Sequence, residues 1–333
     1  MAETKGPKFI IVVGASAGGL NSVIELAAQL TGEVQATVFV VLHLTHLHSG
    51  SLLIQRLQKN SSFTCKMAED GEVIQHRHLY FAVPGKHLLL KENKIVLGEG
   101  PPENRWRPSI DALFRSAAAA YDSRVIGIVL TGLMQDGTSG MQAIKKSGGT
   151  CIVQDPDEAE YPDMPLSVLN NVEVDYCVSL QDMGAILIEK THNGVPKKHQ
   201  VPNDIKIEAQ IAERVAVNMD VVKELGERSS FTCPDCGGGL WQMKEGDVVR
   251  FRCYTGHVYT QDEYEEKNRE GIENTLWVAL RMMEERKQLM EKMAKEENSK
   301  GWVHSANAKE ERAVEMTTHI DRLKQFLFDV KKN

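Results

Sequence analysis

The stretch Phe9-Ile-Ile-Val-Val-Gly-Ala-Ser-Ala-Gly-Gly19 decides the reading of the chain. Five consecutive apolar, mostly β-branched residues describe a strand buried on both faces. The small residues that follow permit a sharp turn, and Leu20 to Leu30 continues at helical spacing. A strand, a tight turn and a helix open a doubly wound α/β fold and leave the turn at the carboxyl edge of the sheet, where such folds bind ligands.

The same alternation recurs over residues 1–190. Thr37–Leu42, His78–Val83, Arg124–Leu130 and Thr150–Gln154 read as further strands. Ser109–Tyr121 and Gly140–Ser147 read as helices, and Leu88–Leu90 with Lys94–Leu97 as a short hairpin. Buried strands interleaved with helices predict an α/β fold with a doubly wound, mostly parallel sheet. After Lys190 the composition changes, and residues 191–230 read as a polar, proline-bearing linker followed by a helix over 204–227. Residues 231–260 form a compact Cys/His segment, and 261–333 a helical hairpin. Thr260-Gln-Asp-Glu263 has the spacing of a capping box, and Asn298-Ser-Lys-Gly301 reads as the turn between the two helices.

Composition narrows the function classes. Of 333 residues 42% are hydrophobic and 26% charged, a balance that fits a folded chain rather than a disordered one. The net charge of −7 disfavours broad attraction to nucleic acid or to an anionic membrane surface. No apolar run reaches the roughly 18 residues of a membrane-spanning helix, and the first residues hold no apolar secretory core. A cytoplasmic protein is expected. Cys65, Cys151 and Cys177 are scattered, while Cys233, Cys236 and Cys253 cluster, which does not look like a disulfide framework.

Ser16 sits in the first turn, where its hydroxyl would be exposed and backbone N–H groups at the helix start could hold an oxyanion. Two other readings compete: a plain tight turn, and a nucleotide phosphate loop. The second lacks G-x-G-x-x-G and a Lys-Ser/Thr pair, and His43 stands where an acidic ribose ligand would be. A serine needs a base, and His43 follows the second strand and reaches the same sheet edge. His46 and His48 lie close by, but their spacing on an irregular stretch is that of a solvated loop rather than a ligand set. Asp136, in a glycine-bounded turn after another strand, is placed to orient His43, although an Asp-Gly pair also reads as an ordinary turn or cap.

Residues 8 to about 190 resemble the catalytic domain of the chemotaxis protein-glutamate methylesterases. The matching segments are IVVGASAGGL, VVLHLTHLHSGSL, AEDGEVIQHRHLYFAVPGKHLLL, ENRWRPSIDALFRSAA, VIGIVLTGLMQDGTSGM and QDPDEAEYPDMP, in the right order. The resemblance implies that Ser16 is the nucleophile, His43 the general base and Asp136 its orienting carboxylate. It also implies an oxyanion site from the backbone N–H groups of Ala17 and Leu133, no catalytic cofactor, and methylated chemoreceptors as substrates. Some members also deamidate glutamine. Known members carry a receiver domain ahead of the esterase, whereas this sequence opens at the first strand, so control other than by phosphorylation within the chain is expected. Position 17, commonly threonine, is alanine, and Met134 replaces the second glycine of a G-x-G-x-D-G turn. Arg105 and Arg107 either guide an acidic receptor helix or brace their own loop, and His87 reads as a structural residue at the edge of the crevice.

Cys233-Pro-Asp-Cys236 and Cys253-Tyr-Thr-Gly-His257 together offer four ligands for a closed tetrahedral zinc site of structural type. The alternative is a reduced, metal-free ribbon; a nucleic-acid finger is disfavoured by the acidic surroundings. Ile272, Leu276, Ala279, Leu280, Met283 and Leu289 fall near helical spacing and suggest either a helix-pair core or a stripe for protein association. The leading function is a serine esterase. Its rivals are a signalling scaffold that keeps the esterase fold without activity, and nucleotide binding at the glycine turn.

Overall fold

The computed structural model describes residues 7–43, 50–91, 93–213, 223–245 and 248–330. The elements run β1 (Phe9–Ala15), α1 (Gly19–Gln29), β2 (Ala36–Leu42), α2 (Gly50–Asn60), β3 (Thr64–Met67) and β4 (His78–Phe81). A hairpin of β5 (His87–Lys91) and β6 (Lys94–Gly98) precedes α3 (Ile110–Tyr121). Then come β7 (Val125–Val129), α4 (Thr138–Lys146), β8 (Thr150–Gln154), α5 (Asp163–Asn171), β9 (Tyr176–Val178), α6 (Met183–His192) and α7 (Asn203–Glu213). Four strands follow, β10 (Glu227–Thr232), β11 (Gly239–Glu245), β12 (Val248–Cys253) and β13 (Val258–Thr260), and two helices, α8 (Gln261–Ser299) and α9 (Val303–Val330).

Seven strands form one sheet in the order β3-β4-β2-β1-β7-β8-β9, and every neighbouring pair is parallel. All seven residues of β1 are buried, because helices cover both faces. Ile10 and Val12 join the core under α3 and α4 with Leu113, Phe114 and Ile144. Ile11 and Val13 face the opposite core with Val23 and Leu26 of α1 and Leu187 of α6. Each such side chain contributes about 1.5–3 kcal/mol of burial, and a one-residue slip in register would exchange the two sets. Gly14 lets α3 approach β1, since a Cβ there would run into Ile110.

The strands and helices expected from the sequence up to Gln154 are present, and β3, α5, β9 and α6 complete the layer. The helix expected over 204–227 is shorter among the described residues. It spans Asn203–Glu213, residues 214–222 lie outside the described set, and Glu227 already belongs to β10. The polar segment after α6 is tied to the body where Ser123 Oγ donates to the Lys197 carbonyl at 2.8 Å and where Val201 is buried in the core.

Strands β10 to β13 form an antiparallel ribbon. A buried charge cluster joins it to α3 and α7. Glu208 of α7 takes both terminal nitrogens of Arg250 at 2.9 Å and Nη2 of Arg252 at 3.2 Å. Arg115 of α3 pairs with Glu103, which also accepts from Arg252 Nη2 at 3.2 Å. Burial alone would raise both carboxyls, but Arg115 and Arg252 beside Glu103, and Arg250, Arg115 and Arg252 around Glu208, outweigh it and hold both below the usual carboxylate range.

The chain divides into two compact units, Met1–Glu263 and Tyr264–Asn333. The capping box forms as read: Thr260 N–H donates to Glu263 Oε2 at 3.0 Å, and Glu263 N–H to Thr260 Oγ1 at 3.3 Å. Within the second unit, α8 and α9 pair around Leu280, Ala294, Ala306, Ala313, Ile320 and Leu327. Ile272 and Leu289, read with the stripe of that helix, stand exposed on its outer side.

Candidate active site

Two adjoining strand ends build the centre of the site. The β1–β2 register sets Ala15 beside Leu42, so Ser16 and His43 leave neighbouring strands at the same level. His43 N–H donates to the Ala15 carbonyl and Ser16 N–H to the Thr131 carbonyl, both at 3.0 Å. Gly132 follows β7 and packs on the serine: a Cβ there would lie 2.8 Å from Ser16 Cβ. Among the described residues, no protein acceptor is bonded to the backbone N–H of Ala17 or Leu133. His46 and His48 lie outside the described residues.

His43 is buried, and its Nε2 lies 3.0 Å from Asp136 Oδ2, off the line of a straight N–H···O hydrogen bond. Trp106 stacks flat on the imidazole, with ring centroids 4.1 Å apart. Asp136 is 2% exposed and its remaining acceptor positions are filled by four donors. These are Ile110 N–H at 2.7 Å, Asp111 N–H at 3.2 Å, Ser109 Oγ at 3.0 Å and Asn104 Nδ2 at 3.0 Å. Two of them are free N–H groups at the start of α3, the end of a helix that favours an anion. Burial opposes the charge, but His43, the Ile110 N–H and the Asn104 amide prevail and hold Asp136 below the usual carboxylate range.

Asp111 stands behind it. Its Oδ1 accepts from Gly137 N–H at 3.0 Å and Gly140 N–H at 2.6 Å, and its Oδ2 from Asn104 Nδ2 at 2.7 Å. Burial first, and then the Asp136 charge, push Asp111 up to about 7. The two carboxyls are thus held apart, Asp136 below the usual carboxylate range and Asp111 above it.

A tight turn delivers two of these contacts. Glu103 and Trp106 exchange backbone hydrogen bonds at 3.1 and 2.9 Å, while Asn104 and Arg105 between them have φ of 51° and 67°. Positive φ at both central residues is the two-residue hairpin pattern, and asparagine tolerates it better than most side chains. The turn points the Asn104 amide at Asp136 and the Trp106 ring at His43. A cleft of about 300 Å³ opens beside His43, lined by Pro84, Gly85, Arg105, Trp106 and Arg107. Arg107 Nη1 donates to the Gly100 carbonyl at 3.0 Å and so braces its loop.

Trp106, Asn104, Ser109 and Asp111 are not among the site residues that the sequence offers. Ser109 and Asp111 carried a signal, an N-cap serine followed by an acidic residue in the first turn, but it pointed to capping alone. His87, expected at the crevice edge, is instead 1% exposed. Its Nε2 meets the Pro101 carbonyl at 2.9 Å, its Nδ1 accepts from Ser109 N–H at 3.3 Å, and burial pushes it below the usual histidine range. Met134 has φ of 68°, a left-handed conformation at the position where a glycine would cost nothing.

The ribbon brings the four ligand candidates together. The ligand atoms of Cys233, Cys236, Cys253 and His257 all lie within 4.8 Å of one another. Cys236 Sγ is 3.8 Å from Cys253 Sγ, and His257 Nδ1 is 3.7 Å from Cys233 Sγ and 3.4 Å from Cys253 Sγ. Tetrahedral zinc with its usual bond lengths requires edges of about 3.6–3.8 Å, so the donor set fits. Tyr259 Oη lies 3.2 Å from Cys233 Sγ and donates to Asp235 at 2.6 Å, an outer contact of the kind that orients ligands.

An all-parallel sheet with a serine and a histidine at adjoining strand ends, and a buried aspartate against the histidine, defines an α/β protein with a hydrolase frame. The chain belongs to the CheB methylesterase family, whose profile matches residues 11–187. A relative from Leptospira interrogans, with a provisional protein-glutamate methylesterase/protein-glutamine glutaminase name, is 34% identical over 189 residues, 56% of this chain and 97% of its own length. The protein-glutamate methylesterase/protein-glutamine glutaminase of Geobacillus kaustophilus is 33% identical over 193 residues, and the match covers 55% of that longer chain. The crystal structure of the Thermotoga maritima CheB methylesterase catalytic domain matches with a TM-score of 0.52 and 34% identity, over 55% of this chain and 98% of that one. Among the described residues, no helix is long and apolar enough to cross a membrane.

Proposed function

We propose that residues 1–190 form a serine esterase that cleaves glutamate side-chain methyl esters on chemoreceptor-type signalling proteins, with Ser16, His43 and Asp136 as its triad. The observation that carries this reading is the 3.0 Å approach of His43 Nε2 to a buried aspartate whose charge four donors stabilise. That contact leaves Nδ1 of the ring for the serine. His43 takes the hydroxyl proton as Ser16 Oγ attacks the ester carbonyl, and the Ala17 and Leu133 N–H groups receive the oxyanion. The C–O bond to methoxide breaks, His43 returns the proton, and methanol leaves. Water then attacks the acyl-enzyme through the same base, which frees the glutamate carboxylate and Ser16. With glutamine as substrate the leaving group is ammonia. The cleft beside Trp106 is where the substrate chain would lie.

Zinc at Cys233, Cys236, Cys253 and His257 has no open position in this reading, so its contribution is to fold the ribbon. We assign the protein to the cytoplasm, where methylated receptor segments are found, and the exposed apolar residues of α8, such as Met282 and Leu289, to protein association. Light scattering of the full chain against Met282→Glu/Leu289→Glu tests the latter, and identical masses would remove it.

The deciding measurement is methanol release from methylated receptor, native chain against Ser16→Ala at equal folded concentration. A loss of at least about 10³-fold is expected. No release from either protein, with methylation of the substrate verified, overturns the esterase reading in favour of a scaffold.

A further inference from the structure

We propose that the Cys/His ribbon seats the turn that serves the triad, so that zinc binding fixes Asn104 and, through it, Asp136. The inference rests on the esterase reading above. It concerns a positioning residue, since Asn104 acts on Asp136 and not on substrate.

Asn104 is held from two sides. Its side-chain amide donates to Asp136 Oδ1 at 3.0 Å and to Asp111 Oδ2 at 2.7 Å, while its backbone N–H donates to the Val258 carbonyl at 3.0 Å. Val258 is the residue directly after the ligand His257. The neighbouring loop residue is held in the same way, because the Glu103 carboxylate accepts from Arg252, the residue directly before the ligand Cys253. Glu103 and Val258 form a parallel bridge. Two consecutive loop residues are therefore docked on the two residues that flank the second half of the metal site.

This docking has a purpose that packing alone does not explain. Asn104 and Arg105 occupy left-handed backbone conformations, which persist only where surrounding structure holds them. Asn104 is fully buried, so its amide must find acceptors, and both that it has found are carboxylates. The same turn carries Trp106 onto His43. When the metal ligands lose their ion, three thiols and an imidazole remain within 4.8 Å of one another, and the turn between Cys253 and His257 loses the metal bonds that would tie it to Cys233 and Cys236. The Val258 carbonyl then moves, the turn loosens, and Asp136 loses one of its donors.

The test uses the full chain, stripped with a chelator and reloaded with Zn²⁺. One readout is the rate at which a fluorophosphonate labels Ser16; the other is hydrogen exchange across residues 101–108. Zinc removal is expected to slow labelling by about 10-fold, the size of outer-shell effects, and to speed exchange at Asn104 while β1 and β7 stay protected. Cys236→Ser, at the exposed ligand, is expected to reproduce this without a chelator. Asn104→Gly keeps the left-handed turn but lacks the amide. It should label about 10-fold more slowly when loaded, lower kcat on methyl ester with KM held, and lose less on stripping than the native chain does.

Equal labelling and equal exchange with and without zinc overturn the proposal. So do independent, multiplying effects of Asn104→Gly and zinc removal, and so does exchange that rises throughout the sheet, which would make the ion a general stabiliser. Absence of labelling in the loaded native chain rejects the esterase reading instead, and the exchange comparison still decides the coupling.

Discussion

Trp106 lies flat over His43, with the two ring planes only 8° from parallel. The contact seals one face of the imidazole and limits its rotation about χ2. Such aromatic contacts contribute about 0.5–1.5 kcal/mol beyond area burial.

Trp106→Ala should therefore lower kcat/KM for methyl ester hydrolysis by about 3- to 10-fold, since each 1.4 kcal/mol is tenfold. Trp106→Phe, which keeps a flat ring, should retain most of the activity. Steady-state methanol release decides it. Equal rates in Trp106→Ala and the native chain would show that the stack does not hold His43 in its working position.

Met134 makes a second, opposite prediction. Its φ of 68° is strained for any residue with a Cβ, and its side chain is only half-buried. Met134→Gly removes the strain but gives the unfolded chain more freedom, so the net gain is about 1 kcal/mol at most. Met134→Val, β-branched, should destabilise. Urea midpoints of the three chains test this, and the idea is lost if glycine ranks below valine.

How much of this was legible in the sequence depended on whether a residue's role is local. Ser16, His43 and Asp136 each follow a buried strand, and a strand's end can be read from its own residues. The roles of Asn104 and Trp106 come from a turn docked on Val258, far along the chain, and nothing near position 104 announces that partner. β3 escaped notice because only Cys65 of its four residues is buried, which leaves no apolar period to read. The helix expected to continue to 227 runs into β10, a polar strand with no buried residue, at the edge of its sheet. Its pairing with β11 is what makes it a strand. The four ligand candidates were legible because metal ligands announce themselves by type and spacing.

The charge cluster between body and ribbon supplies a third prediction. Glu208 is surrounded by Arg250, Arg252 and Arg115, all fully buried, so neutralising it removes a charge that offsets all three and leaves Glu103 facing Arg115 and Arg252. Glu208→Gln should cost about 3–5 kcal/mol, the usual loss when one partner of a buried pair is removed. Urea denaturation at neutral pH measures it. A change below about 1 kcal/mol, the level of an exposed pair, would mean the cluster does not dock the ribbon.

Glu263 links stability to pH. It closes the capping box of α8, and burial first, then the charges of Asp136 and Asp111 among others, push it up to about 8, against an ordinary value of 4.5. A carboxyl whose folded value is raised binds its proton more tightly when folded. Its contribution is therefore complete below the unfolded value and is lost as pH rises through the folded one. Glu263→Gln keeps an acceptor for the Thr260 N–H and has no charge to acquire. Relative to the native chain it should be nearly neutral at acid pH and gain about 1.4 kcal/mol for each pH unit up to about pH 8, with no further gain above. Because both chains share the same Cys/His cluster, the difference between them cancels any effect of acid on a metal held there. Paired urea denaturations from about pH 6 to about pH 9 provide the comparison, and a difference that stays constant across that range would show that Glu263 is already ionised in the folded protein.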